Sequence, residues 1–472
     1  MLPLVVDLDG TLTPTDTLVE SVFCLLKKRP LAVFLLLVWL FRSRAQFKCN
    51  VAAHAGFEPN NLPWREDLLA WLHAQRLTGR RLVLATAAHE SIANAVANKL
   101  ALFDLVLAST HESNLKGDNK LAAIRQHVGS RFVYAGDSNA DVPIWLASES
   151  AILVNASTAV TRQVKAAVQV EKEFAQTGAG WRDWLRALRV YQWIKNLLIF
   201  VPLFTAFALN DGHKVFIACL AFLAFSLAAS ATYVLNDLWD LDNDRQHPRK
   251  KSRPFASGKI PIVLGVTAAG LLLASSLALA LVLSVKFAGM VLGYICLTTA
   301  YSVALKHYVL IDVLMLALLY TFRVLAGAVA TGIVVTPWLL AFSVFTFFSL
   351  ALVKRCAELV SLRESGGKSA HGRDYQVSDL VVLWPMGIGA SLCSVVVFGL
   401  YIGSPGATTL YGNTDTLWLV GIGLIYWIAR LWIKTARGEM HDDPIVFAVR
   451  DFGSRVTVLT MLAVTAIAHF IG

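Results

Sequence analysis

Charge is what this chain has least of. Only 16% of its 472 residues are Asp, Glu, Lys or Arg, where a soluble globular chain carries about a quarter. Acids are scarcer than bases, 32 against 42, leaving a formal net charge of +10. The six cysteines (Cys24, Cys49, Cys219, Cys296, Cys356, Cys393) show neither metal-ligand spacing nor a pairing framework. That excludes a disulfide scaffold and fits reduced thiols on a chain facing the cytoplasm. The surplus positive charge is expected to meet lipid head groups and phosphate, with no nucleic-acid partner.

Apolar sequence is in excess, at 56% of residues, and it is unevenly placed. Residues up to about 180 have ordinary soluble composition. The remainder is a series of apolar runs, with spans expected near Leu197–Phe207, Val215–Leu235, Ile262–Val285, Ala288–Ala304, Val309–Ala330, Pro337–Val353, Leu380–Ile402, Thr416–Leu431 and Val456–Ile471. A crossing helix needs roughly 20 residues, so the first run is short and must recruit its flanks. About nine transmembrane helices are expected.

Loop charge orients them. With the N-terminus cytoplasmic, the loops after even-numbered spans hold seventeen Lys and Arg residues, in Arg245–Lys259, at Lys306, in Lys354–Arg373 and in Arg430–Arg455. The opposite loops hold only Lys214 and Lys286. That is a strong positive-inside bias. It predicts a multi-pass protein of the inner or plasma membrane with its N-terminal domain and active sites in the cytoplasm.

The scarce acids are concentrated. Asn236-Asp237-Leu238-Trp239-Asp240-Leu241-Asp242-Asn243-Asp244 follows the second apolar run directly, and a basic stretch from Arg245 to Arg253 follows it. If the helix continues, Asp237, Asp240 and Asp244 share one face. Three carboxylates at the end of a membrane helix are costly without a cation among them. Mg²⁺, held by carboxylates and substrate phosphates, is the natural partner.

In the soluble half, strand-like runs at Leu2–Leu8, Arg81–Thr86, Leu105–Ser109, Arg131–Ala135 and Ile152–Asn155 alternate with helical patterns. This is the signature of a parallel α/β sheet, with chemistry at the carboxyl ends of the strands. Those ends carry Asp7 and Asp9, then Thr86, then Asp137 and Asp141. Asp7-Leu8-Asp9-Gly10-Thr11-Leu12, Thr86, Lys120 and Gly136-Asp137-Ser138-Asn139-Ala140-Asp141 together resemble the four motifs of the haloacid-dehalogenase (HAD) phosphatases, over about 1–160. The resemblance implies a Rossmann-like domain with a cap around 15–80. It makes Asp7 the nucleophile, Asp9 the acid and base, and Thr86 and Lys120 the holders of the phosphoryl group. Mg²⁺ would sit on Asp7, Asp9, Asp137 and Asp141. Lys116 competes with Lys120, which is preferred for its place at the start of an expected helix. Within the cap, Leu31–Phe41 is uncharged and flanked by Lys27, Lys28, Arg29, Arg42, Arg44 and Lys48. Too short to cross, it is either a buried cap helix or one dipping into the leaflet. Residues 161–184 are expected to be a polar linker and a juxtamembrane helix, with Thr177–Gly180 as a hinge.

From 185 onward, the Asn-Asp start with acids at +3 and +7, Ser252–Ile260 and Tyr301–Lys306 resemble the UbiA-type intramembrane prenyltransferases. The second acidic cluster of the aromatic prenyltransferases is missing. Lys354-Arg355-Cys356-Ala357-Glu358-Leu359, Gly372-Arg373-Asp374-Tyr375, Tyr191–Asn196 and Asp442–Ala448 stand instead, and are similar to the decaprenyl-phosphate phosphoribosyltransferase branch. That implies transfer of ribose 5-phosphate from phosphoribosyl pyrophosphate (PRPP) to a polyprenyl phosphate, a lipid carrier used in cell-wall arabinan synthesis. Mg²⁺ would sit on Asp237, Asp240 and Asp244. Lys195, Asn236, Arg253, Tyr301, Lys306, Lys354, Arg355, Glu358, Arg373 and Tyr375 would contact substrate. The fused phosphatase would then remove the 5-phosphate. The alternatives are a prenyltransferase with an apolar acceptor, or a transporter whose acids line an ion path.

Overall fold

The computed structural model describes residues 1–470 except 42, 176–177, 368–372 and 441–442. Arg42, Thr177, Lys368, Gly372 and Asp442, all used above, therefore lie outside the described residues. The chain forms two compact units. The first joins Met1–Leu188 to Tyr233–Ala268, and the second joins Arg189–Thr232 to Ala269–Gly472.

The first unit is built on a six-stranded parallel sheet: β1 Leu4–Val6, β2 Leu82–His89, β3 Leu105–Ser109, β4 Val133–Gly136, β5 Ser150–Val154 and β6 Gln169–Phe174, in the order β3-β2-β1-β4-β5-β6. Helices cover both faces, so β1 and β4 are buried throughout and read as unbroken apolar runs. Leu4 of β1 lies opposite Leu82 of β2 and Val133 of β4. The strand order reverses there, and in such sheets ligands gather in the crevice beyond those carboxyl ends. Strand β6 lies in the stretch expected to be a linker, and the sheet runs on to Phe174. Its polar sequence hid it: as an edge strand it leaves Gln169, Glu171, Lys172 and Glu173 exposed. Buried Arg80 grips Glu171 at 2.7 Å.

Between β1 and β2 stand α1 (Thr17–Lys28), α2 (Ala32–Leu40) and α3 (Arg44–Ala55). Asp16 caps α1 by accepting from the Leu18 and Val19 amides, and Lys27 and Lys28 suit the negative end of its dipole. Leu25, Ala32, Leu36, Trp39, Val51 and Ala55 make a core of their own. Helix α2 buries one face and leaves the other exposed. Leu36 and Trp39 are buried in that core, whereas Phe34, Leu37 and Phe41 are 65%, 52% and 93% exposed.

The second stretch of this unit comes from the membrane half. It comprises the end of the Gly212–Trp239 helix, the short Leu241–Gln246 helix, a turn, and the start of the Ile262–Leu283 helix. Arg245 fastens it. Its guanidinium donates to both oxygens of Glu20 at 2.6 and 3.1 Å and to the Asn61 carbonyl at 3.0 Å. Lys27 meets Asp242 at 2.9 Å. Gly258, at φ +71°, lies so close to Pro14 that a Cβ would fall 2.5 Å from its Cγ, so both the backbone conformation and the approach require glycine.

Among the described residues, eight helices are long and apolar enough to cross a membrane: Gly212–Trp239, Ile262–Leu283, Val285–Val303, Ile311–Thr331, Pro337–Glu364, Val377–Ile402, Leu417–Ala436 and Phe452–Phe470. This is a multi-pass membrane protein. The expected first span is not a regular helix but a 3₁₀ run, Val190–Phe200, followed by a short α-helix, Val201–Thr205. Lys195 and Asn196 interrupt its apolar face, and Pro202 opens the short helix. At about 2.0 Å per 3₁₀ residue and 1.5 Å per α residue, the pair spans about 30 Å, the thickness of the hydrocarbon core. The chain leaves the first unit at Leu188 and rejoins it at Tyr233.

Removing Arg245 tests the fastening. Arg245→Ala leaves Glu20 buried without its cation and is expected to destabilise the first unit by about 3–5 kcal/mol, seen as a lower unfolding temperature of the full chain in detergent. The paired change Glu20→Met with Arg245→Met should recover most of that loss, because an apolar pair carries no charge to strand.

Candidate active sites

The carboxyl ends of β1 and β4 bring the acids of the first unit together. Oxygens of Asp7, Asp137 and Asp141 all lie within 4.8 Å of one another. Lys120, buried at the start of the Asp118–His127 helix, sits 2.8 Å from Asp7 and 3.7 Å from Asp141. Gly10 makes the fit possible: at φ +77°, its Cβ would fall 2.1 Å from Asp137 Oδ2. Burial pushes Asp7 up to about 6 against the pull of Lys120. Burial, then Asp7 and Asp141, pushes Asp137 up to about 8. So much crowded negative charge is the environment that a hard divalent cation relieves, and the donor set suits Mg²⁺.

Each expected residue has a distinct setting. Asp141 is heavily engaged: Oδ1 accepts from Tyr134 at 2.7 Å, and Oδ2 from the Asp137 and Ser138 amides and the Ser138 hydroxyl. It holds the Gly136–Asp141 turn in shape. The Asp9 carboxylate stands apart from the cluster and accepts from the Thr17 amide at 2.8 Å, at the N-terminus of α1. Burial and then Asp16 push it up to about 7, a value suited to a proton donor near neutrality. Thr86 is buried near the end of β2 and accepts from the Ala88 amide at 3.0 Å.

Asp7, Asp9, Lys120, Asp137 and Asp141 line a cleft of about 510 Å³ that includes Lys48, Asn114 and Lys116, and Thr86 lies buried outside its lining. Lys48 had entered the sequence reading only as a flanking charge. It donates to the Ala87 carbonyl at 2.6 Å and to Asn114 at 3.0 Å, and burial lowers its pKa. A larger groove, about 620 Å³, runs past Asn155, Arg162 and Lys165. Among the described residues no cluster of acids converges on it, and the acids gather at the smaller cleft.

The Asp-rich stretch lies in the same unit. The helix breaks at Asp240, yet the Asp240 amide still reaches the Asn236 carbonyl and the Asp244 amide that of Asp240, both at 2.9 Å. Among the described residues the three carboxylates do not converge as those of Asp7, Asp137 and Asp141 do. Arg253 donates to Asp237 at 3.1 Å and to Asp244 at 2.5 Å.

In the second unit, the expected basic loop proves to be helix. Pro337–Glu364 carries Lys354, Arg355 and Glu358 on its last turns, because Val353, Cys356, Leu359 and Val360 keep the helix packed there. Arg355 is fully buried and is bound to Glu358 and, at 2.5 Å, to Asp312, which also accepts from Tyr375 at 2.5 Å. With its guanidinium committed in this way, Arg355 belongs to a structural ion-pair network rather than an open phosphate site, and Tyr375 goes with it. Arg373 remains partly exposed and pairs with Glu358 at 3.0 Å. Asp443 accepts from Lys195 at 2.7 Å and from Lys354 at 3.3 Å. Burial would raise Asp443, but the two lysines outweigh it and hold the carboxyl well below its usual range. Arg323, buried, donates to Asn196 at 2.9 Å and to Tyr294 at 3.1 Å. Asp312 and Arg323 escaped the sequence reading because they are two isolated charges inside one apolar run. An intramembrane charge is signal enough to have flagged both.

Comparison with known proteins defines the class. The UbiA prenyltransferase family matches residues 197–454, and the haloacid dehalogenase-like hydrolases match residues 4–145. The chain belongs to the UbiA prenyltransferase family and is a membrane transferase carrying a HAD-like hydrolase domain. An uncharacterised protein of Sinorhizobium fredii, y4nM, is 38% identical over 456 residues, covering 95% of this chain and 88% of that one. The decaprenyl-phosphate phosphoribosyltransferase of Mycolicibacterium smegmatis is 34% identical over 222 residues, covering 46% of this chain and 69% of that one. Among solved structures, a UbiA homolog from Archaeoglobus fulgidus bound to GPP and Mg²⁺ aligns with a TM-score of 0.46 at 18% identity, over 60% of this chain and 97% of that one.

Two outcomes test these settings. With an alkyl phosphate as substrate, phosphatase kcat/KM should fall as pH rises through about 7, where Asp9 loses its proton, and also below about 6, where Asp7 gains one. A pH profile flat from 7 to 9 would remove Asp9 as the donor. Separately, Arg355→Ala and Arg355→Lys should both cost about 3–5 kcal/mol of stability, because each disturbs the pairing of buried Asp312. The readout is thermal unfolding in detergent, with KM for the phosphate donor unchanged in whatever protein remains folded.

Proposed function

We propose that the membrane half transfers a 5-phosphoribosyl group from PRPP to a polyprenyl phosphate, and that the HAD domain then removes the 5-phosphate from the product. The observation that carries this reading is the 34% identity of the membrane half to a decaprenyl-phosphate phosphoribosyltransferase. The absence of a second acidic cluster agrees with it. The domain limits that follow are a phosphatase over about 1–174 and a transferase from about 185 onward. The positive-inside bias argues for a cytoplasmic placement of both sites in the plasma or inner membrane.

In the transfer, an oxygen of the polyprenyl phosphate bonds to ribose C1 as the bond from C1 to pyrophosphate breaks. The acceptor is already an anion, so no general base is required. Asp237, Asp240 and Asp244 would hold Mg²⁺, which supplies positive charge to the departing diphosphate. Arg253 spans Asp237 and Asp244 in the structure and is the cation that turns to the diphosphate when that charge is bound. Lys195, Lys354 and Arg373 are the cations offered to further phosphates, with Asn236, Tyr301 and Lys306 as polar contacts.

In the phosphatase, Asp7 attacks phosphorus while Asp9 protonates the leaving C5 oxygen. Asp9, now a base, takes a proton from water, and that water cleaves the aspartyl phosphate. Lys120 neutralises the phosphoryl oxygens, and Thr86 orients them. Asp7 and Asp137, braced by Asp141, would hold the Mg²⁺ that shields the incoming phosphate from the nucleophile's own charge.

The two activities should separate by mutation. Asp237→Asn is expected to abolish PRPP-dependent lipid product while hydrolysis of a soluble phosphate ester continues. Asp7→Asn should do the reverse, and mass spectrometry of the lipid extract should then show the 5-phosphorylated ribosyl lipid accumulating. Membranes that consume a prenyl diphosphate but not PRPP would assign the chain to the apolar-acceptor prenyltransferases instead.

A further inference from the structure

The cleft over Asp7 has a wall that phosphatase chemistry does not use. Pro261, Ile262 and Val263 line it together with Asp7, Asp9 and Lys120. They open the Ile262–Leu283 helix, a candidate span with only 17% of its apolar window buried. Val263, Leu264 and Val266, at the start of that helix, are about half exposed. The apolar wall of the cleft therefore runs on into a surface made for lipid. Its position is fixed, because Gly258 is pressed against Pro14 and Arg245 is clamped on Glu20. Leu18 and Val19 of α1 add further aliphatic lining. Helix α2, which packs with α1 and α3, leaves Phe34 and Leu37 exposed, as is Phe41 just beyond its end.

A free sugar phosphate, with hydroxyls on every side, gains nothing from an aliphatic wall. A lipid-borne phosphate monoester does, because one end is a dianion and the other a hydrocarbon chain. We propose that Pro261, Ile262 and Val263 seat the chain of a membrane-resident phosphate monoester, so that the phosphatase draws its substrate from the leaflet and discriminates against soluble sugar phosphates. Lys48 and Lys116, in the same cleft, are the cations available to a phosphodiester bridging sugar and chain. The proposal rests on the phosphatase reading above and adds where the lipid lies and what the site rejects.

The test uses the full chain in lipid nanodiscs with two probes: chemically prepared 5-phosphoribosyl polyprenyl phosphate and free ribose 5-phosphate. Wild-type kcat/KM is expected to favour the lipid by at least about tenfold, the scale of a few aliphatic contacts. Val263→Asn should lower the ratio of lipid to soluble hydrolysis by about tenfold, and Val263→Leu should keep it. Equal use of the two probes by the wild type, which requires no variant to fold, overturns the lipid seat while leaving the phosphatase reading intact. An unchanged ratio in Val263→Asn overturns it as well. Hydrolysis of neither probe removes the phosphatase reading, and the seat with it.

Discussion

A carboxylate withdrawn from water must find a cation, and this chain, so poor in charge, meets that demand several times over. Asp7 has Lys120, Asp237 and Asp244 share Arg253, Asp312 has Arg355, Asp443 has Lys195 and Lys354, and Glu20 has Arg245. The attraction within each buried pair offsets a desolvation cost of several kcal/mol per ion, so these pairs add little to net stability. What they do is fix geometry. Where both partners are enclosed, as for Arg355 with Asp312 and Arg245 with Glu20, neither can leave without stranding the other. The sites therefore arise where like charges crowd: at Asp137, pressed by Asp7 and Asp141, and at Asp9, facing Asp16.

The same rule divides the basic residues into two kinds. Arg355 is fully enclosed by acids and by the Tyr375 ring, so its charge is spent within the fold. Arg253 is partly exposed and bridges two acids that resemble a diphosphate-binding pair. A guanidinium in that setting keeps its partners in the resting protein and still has donors to turn toward phosphate. Sequence position alone does not distinguish the two, since both stand beside acids in loops or helix ends.

Much of this was legible before any coordinates. Five of the six strands appeared as short apolar runs, because a parallel sheet buries both faces. The acids at their carboxyl ends were legible because the topology puts them there. Strand β6 was not, because an edge strand half in water carries the polar composition of a linker. The membrane helices were legible through length and hydropathy, except over residues 190–205, where Lys195, Asn196 and Pro202 interrupt the pattern. The settings of Arg355 and Asp443 were beyond reach. Which charge meets which acid is decided by packing between residues 43 and 248 positions apart, and no local pattern records it.

The first unit is discontinuous in sequence: residues 189–232, which belong to the second unit, separate its two stretches. Synthesis runs from the N-terminus, so the sheet and cap are exposed well before Arg245 exists to meet Glu20, 225 residues away. In that interval Glu20, the Pro14 loop and one wall of the cleft stand in water without their partners. The first unit is therefore complete only once the chain through Ala268 has been made.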